Sequence, residues 1–174
     1  MPRVPFEELP EHGRLWVFPA SRDLADAEAD AFLAAVDDFL ASWSAHGAPL
    51  RSGRKLLERR FLLVGVDVDA EAPSGCSIDA LVNRLRALGG ELDVTLIDHA
   101  PVWYRADDGD VRAVSRKGFR ALAEEGSLGP DVVVFDTSLT KVGQERAGEL
   151  ERSAAESWHG KAFFAAHPAM ATRG

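Results

Sequence analysis

The sequence predicts an α+β fold, with mixed α/β as its near variant: a single mixed sheet of about five to six strands with about three helices packed on it. Three observations carry that expectation. Short apolar runs of strand length recur along the chain, at Leu15–Phe18, Phe61–Val64 and Val132–Val134. Two longer stretches repeat apolar residues with a helical period. An Asp-Gly pair, Asp108-Gly109, lies between two further strand-like runs, which signals an antiparallel hairpin.

Taken in order, Leu15-Trp16-Val17-Phe18 is entered from Gly13 and left at Pro19, and reads as a short buried strand. Phe32, Leu33, Val36, Phe39, Leu40 and Trp43 then fall on one helical face. Asp23, Asp26 and Glu28 place negative charge at the start of that helix, where the dipole favours it. Gly47 and Pro49 predict its end near His46. The segment Arg51 to Arg60 reads as a basic loop, with Arg51, Arg54, Lys55, Arg59 and Arg60 against Glu58. Phe61 to Val68 reads as a central strand, apolar on both faces, and a loop over Ala70 to Gly75 follows. Ile78, Leu81, Val82, Leu85 and Leu88 form the buried stripe of a second helix, which Gly89-Gly90 is expected to stop. Leu92, Val94 and Leu96 alternate with Asp93 and Thr95 as a half-buried strand would. Val102–Arg105 and Val111–Val114 form the hairpin around Asp107-Asp108-Gly109-Asp110. Ser115 caps a short helix closed by Gly126, and Asp131 to Phe135 is a further strand. Gln144 to Ala155 is polar and reads as a solvated helix. The expected organisation is one globular domain over residues 1–160 and a flexible tail over 161–174.

Composition narrows the function classes. The 174 residues carry Lys+Arg 20 against Asp+Glu 28, a net charge of -8, so a general polyanion-binding role is not expected. One cysteine excludes an intrachain disulfide and a Cys-rich metal site, and it suits a reducing cytoplasm. The longest apolar run, Phe61 to Val66, is far short of the roughly 20 residues of a membrane span. No Walker-type phosphate loop, dinucleotide-binding glycine motif or serine-hydrolase elbow is present, and no cofactor is expected. The histidines lack His-x-x-x-His spacing, so no metal site is expected. Asp107–Asp110 has only part of a calcium loop and is better explained as a turn.

The most distinctive stretch is Ser74-Gly75-Cys76-Ser77-Ile78-Asp79, a loop entering a helix. Two chemistries fit it. Backbone amides at a helix start, with glycine and two serines, can hold a phosphate or carboxylate. Ser74, Gly75, Ser77 and Asp79 would form that loop, although the carboxylate of Asp79 competes for the same positive field. Arg60 from the basic segment and Trp158 would assist by charge and by stacking. Alternatively, Cys76 lies roughly opposite the buried stripe and faces outward at a position that favours a thiolate. With His46 or His159 as base it would be a nucleophile. The bland alternatives are a small loop cysteine, surface histidines and a solvated charged segment.

Several segments also carry a resemblance. Gly13–Val17, Trp43-Ser44-Ala45-His46-Gly47, Arg60-Phe61, Ser74–Asp79 and Ser157-Trp158-His159 resemble a bacterial family of undefined biochemical role whose members are often labelled "ABC transporter ATPase". The resemblance spans roughly Phe6 to His159. It implies that the Trp-x-x-His-Gly, cysteine and Trp-His segments belong to one shared site, with Cys76, His46 and His159 in it. The label is not carried over, because the chain has no phosphate loop. The sequence therefore favours a small ligand- or partner-binding protein, possible as a homo-oligomer, ahead of a cysteine-dependent enzyme or redox-sensitive protein.

Overall fold

In a computed structural model, which describes residues 3–164, the elements follow in the order β1 (Arg14–Pro19), α1 (Asp26–Ala41), β2 (Ser44–Ala45), β3 (Ala48–Pro49), β4 (Ser52–Leu57), β5 (Phe61–Val66), α2 (Gly75–Leu92), β6 (Val102–Arg105), β7 (Val111–Val114), α3 (Arg116–Glu124), β8 (Val133–Phe135), α4 (Val142–Arg146) and β9 (Glu151–Ser153). The chain divides into two compact units: Met1–Asp98 with Thr137–Ala147, and His99–Asp136 with Gly148–Gly174.

The first unit is organised around β5, which lies between β1 and β4 and is antiparallel to both. All six of its residues are buried, as expected of a strand apolar on both faces. One face of the sheet contributes Phe18, Leu62, Val64 and Val66 to a core with Phe32, Val36 and Leu40 of α1 and Leu81, Leu85 and Leu88 of α2. The other face is covered by the N-terminal segment and α4. There Gly65 approaches Leu9, Phe6 and Val142 so closely that an added Cβ would lie 2.7 Å from Leu9. Gly53 on β4 is as tight but against backbone, since its Cβ would lie 2.7 Å from the Val4 carbonyl oxygen.

The second unit holds a four-stranded antiparallel sheet in the order β7-β6-β8-β9. Its core gathers Val102, Tyr104, Phe119, Val134, Ala154 and Phe163. The predicted hairpin is present, with Gly109 at φ 89 and Ala106 N–H donating to Asp110 at 2.8 Å. The predicted cap is present too: Ser115 Oγ accepts from Gly118 N–H at 2.9 Å.

The α+β class holds, but the single mixed sheet does not. Three separate antiparallel sheets of three, two and four strands take its place. The reason is local. The strand–helix–strand alternation suggested crossovers within one sheet, but α1 leads instead into the small β2–β3 hairpin and then β4. A turn with left-handed Glu58 (φ 57) and Arg59 (φ 50) folds β4 back on β5. The basic "loop" is thus mostly strand, because β4 pairs with β5 along its whole length.

Other boundaries move for equally specific reasons. The first helix ends at Ala41 rather than near His46, and His46 (φ 53) with Gly47 (φ 78) forms the β2–β3 turn. Gly89-Gly90 do not stop α2. Gly89 is buried where a Cβ would meet the Val94 carbonyl oxygen at 2.6 Å, so its small size serves packing, and Asp93 (φ 58) ends the helix. The strand expected over Leu92–Leu96 is therefore partly helix and partly loop. The solvated helix expected over Gln144–Ala155 is split into the end of α4, a left-handed Gly148 (φ 81) and β9. Of the tail expected from residue 161, Lys161 to Phe164 form a helical turn that buries Phe163, and residues 165–174 lie outside the described residues. Among the described residues no helix is long and apolar enough to cross a membrane.

The close backbone approach at Gly53 makes a stability prediction. Gly53→Ala should cost about 1–3 kcal/mol, because the atoms in the way are main chain and cannot rotate aside. Urea unfolding measures it, and an unchanged midpoint would contradict the packing of the N-terminal segment on β4.

Candidate functional site

The head of α2 is built by two serines that satisfy each other. Ser74 is extended (φ -104, ψ 166), and its Oγ accepts from Ser77 N–H at 3.1 Å. Ser77 Oγ accepts from Ser74 N–H at 2.8 Å and donates to the Ser74 carbonyl at 2.8 Å. Ile78 N–H closes the first helical turn on the same carbonyl at 3.0 Å. Ser77 is buried, and its own carbonyl accepts from Trp43 Nε1 at 2.8 Å. That indole is wedged by Trp16, edge-on at 6.0 Å, and by Phe39 at 5.8 Å. The start of α2 is therefore tied both to itself and to the core below it.

Two amides remain. Gly75 and Cys76 are exposed, and their N–H groups have no hydrogen-bond partner among the described residues. Nothing stands within 4 Å of where a Gly75 Cβ would be. Asp79, one turn on, is exposed as well. Of the two serines expected as ligand contacts, Ser77 both accepts and donates through its hydroxyl in the reciprocal cap, and Ser74 accepts through its own. The donors left for an anion are the two backbone amides and the hydroxyl proton of Ser74, whose oxygen only accepts in the cap.

Cys76 is a free, exposed thiol, as its position opposite the buried stripe predicts. His46 is exposed in the β2–β3 turn of the same unit, and no hydrogen bond joins it to the Cys76 sulfur. His159 belongs to the second unit. It is 2 % exposed, shares a 2.8 Å hydrogen bond with Ser157 Oγ through Nδ1, and stacks on Trp158 with ring centroids 3.9 Å apart. Burial pushes its pKa down from the usual 6.5 to about 4. Asp136 pulls the other way, and the Arg116 guanidinium adds to the depression. A neutral, buried imidazole already bonded to a serine is a core residue.

Arg60 and Trp158 are likewise committed. Arg60 is buried, donates to the carbonyls of Ala20 (3.1 Å) and Ser21 (2.9 Å), and lies 3.5 Å from Asp23. It straps down the segment that leaves β1. Its neighbours in the basic segment are also matched: Arg54 makes a forked pair with Asp37 at 2.8 Å, Lys55 meets Glu145 at 2.6 Å, Arg59 meets Asp26 at 3.0 Å and Arg51 meets Asp67 at 3.2 Å. Trp158 donates from Nε1 to Asp136 Oδ1 at 3.2 Å. Sequence reasoning missed Trp43 as the anchor of the α2 head and Asp136 as the partner of Trp158. A helical stripe that includes Trp43 says nothing of where its indole N–H points.

Among the described residues no group of three or more His, Cys, Asp or Glu is arranged to hold a metal ion. A hollow of about 370 Å³ in the second unit lies beside the β6–β7 hairpin, over Tyr104, Leu122, Leu128 and Val132. Asp107 and Asp108 of the predicted hairpin turn line it, and none of the residues expected to bind a ligand or act in catalysis does. No protein-family model, curated protein or solved structure matches the chain.

His159 gives a pH prediction. Between pH 4 and 6.5 the unfolded chain binds the proton and the folded chain does not, so its contribution is full above about 6.5 and is lost as pH falls toward 4. The loss should be on the order of 2 kcal/mol, less than the full conversion of the shift because Trp158 and Gly160 beside it are only half-buried. Unfolding free energy measured across that range should fall with acidity, and His159→Gln should flatten this slope. An equal slope in the variant would contradict the buried neutral imidazole.

Proposed function

We propose that the protein is a small cytoplasmic binding module that takes an anionic group, a phosphate or a carboxylate, at the head of α2. The observation that carries this reading is the pair of unpartnered amides, Gly75 and Cys76, on a helix start whose neighbouring amides, Ser74 N–H and Ser77 N–H, are closed off by the cap. Helix-terminal amides combine free donors with the positive end of the dipole, and an 18-residue helix supplies a full dipole. Preorganisation supports the reading further: the cap and the Trp43 bond to Ser77 hold the two donors in place before any ligand arrives. The family resemblance draws attention to the same Ser74–Asp79 segment.

The cysteine-enzyme reading has less behind it. Its chemistry needs a base within hydrogen-bond reach of the thiol. In the first unit His46 makes no such bond, and His159 is buried against Ser157.

Gly75→Pro tests the proposal without breaking the helix. Proline is favoured at the first helical position, Ser74 already has the extended conformation that must precede it, and the space is open. The variant lacks one of the two amide donors. Titration of inorganic phosphate followed by amide NMR should shift Cys76 and Gly75 in the native protein, with at least about a fivefold weaker response in Gly75→Pro at unchanged melting temperature. Phosphate shifts that are absent at Cys76, or identical in the variant, would overturn the proposal.

A further inference from the structure

The cations of the β4 segment and those of α3 are used differently. In the β4 segment of the first unit each cation meets a carboxylate. On α3 of the second unit, Arg116, Lys117 and Arg120 are exposed and make no ion pair among the described residues. Arg116 and Arg120 instead lie against aromatic rings: the Arg116 guanidinium carbon is 5.0 Å from the Trp158 ring centre, and that of Arg120 is 5.1 Å from the Phe163 ring centre.

Those two rings are held from behind. Trp158 stacks on His159 and bonds to Asp136, and Phe163 packs edge-on against Phe119 at 4.8 Å. A guanidinium resting on a fixed ring loses side-chain freedom in advance, yet the N–H donors at its edge stay open to a carboxylate fork. The two arginines stand one helical turn apart, about 6 Å along the axis, on a face that Lys117 flanks. That distance is close to the spacing of alternate side chains along an extended peptide.

We propose that the α3 face is a docking surface for a short acidic peptide segment of a protein partner, with two of its carboxylates forked by Arg116 and Arg120. Charge complementarity selects this occupant. The patch is short, ending at exposed Glu124 one turn beyond Arg120, and the chain as a whole carries -8. A long polyanion would extend past the patch into that repulsion, whereas a few carboxylates would not. The surface lies in the second unit and does not depend on the α2 head of the first.

The experiment is fluorescence anisotropy of the full chain with labelled hexaglutamate, using hexaglutamine and a uridine decamer of RNA as comparison probes. Hexaglutamate should bind tightest, and binding should weaken as salt rises. R116Q/R120Q, which removes both charges and leaves polar side chains, should weaken it at least about tenfold while the chain stays folded by circular dichroism. R116K/R120K should retain part of the affinity, since charge remains but the fork is lost. G75P should leave hexaglutamate binding as it is. Tighter binding of the RNA, equal binding of hexaglutamine, or an R116Q/R120Q variant that binds like the native chain would each overturn the inference. Loss in G75P alone would assign the peptide to the α2 head, which upholds the proposed function and removes this surface.

Discussion

The two-sided burial of β5 is the constraint on which the first unit depends. A strand with every residue buried must have both faces of its sheet covered. On one side this brings α1 and α2 onto Leu62, Val64 and Val66, and on the other it draws in the N-terminal segment and α4 over Gly65. The position of α2 follows from that packing. Its head is then set by a contact that packing alone does not supply, the Trp43 indole donating to the Ser77 carbonyl. A core residue of the α1 stripe thus fixes the first turn of the next helix.

The same economy of polar groups explains what each expected site residue does. Ser77 has the chemistry to bind an anion, yet its hydroxyl is spent on the Ser74 backbone, while the Ser74 oxygen accepts from Ser77 N–H. The cap closes Ser77 N–H and Ser74 N–H and leaves Gly75 and Cys76 open. Arg60 has the charge to bind a phosphate, but buried beside three main-chain and side-chain oxygens it holds the exit from β1. In the second unit the imidazole of His159 is kept neutral by burial. Among the described residues, groups without an internal polar partner include two amides on α2 and, on α3, cations whose neighbours are aromatic faces.

Much of this was legible in the residues, and the rest was not for physical reasons. Periodicity located β1, β5, the stripes of α1 and α2, the β6–β7 hairpin and the Ser115 cap, because each is set by neighbours within a few positions. Sheet organisation was not legible. Whether β4 returns on β5 depends on left-handed Glu58 and Arg59, residue types that seldom announce such a turn. Gly89 looked like a helix stop and is a packing contact, since a lone residue cannot show that the Val94 carbonyl lies against it. For the site, the outward placement of Cys76 followed from the helical wheel, and the cap was implicit in Ser74 and Ser77 three apart. The partners of Arg60, Trp158 and His159 lie in other elements, at separations no local pattern encodes.

At the head of α2 two amides are open while their neighbours are closed. Amide hydrogen exchange of the native chain, resolved residue by residue, tests it most directly. Gly75 and Cys76 should exchange within about tenfold of an unstructured peptide, and Ser77 and Ile78 should be slower by about a hundredfold or more. Equal protection across Gly75, Cys76, Ser77 and Ile78 would mean that the two amides have an internal partner, and the account of the site would fail.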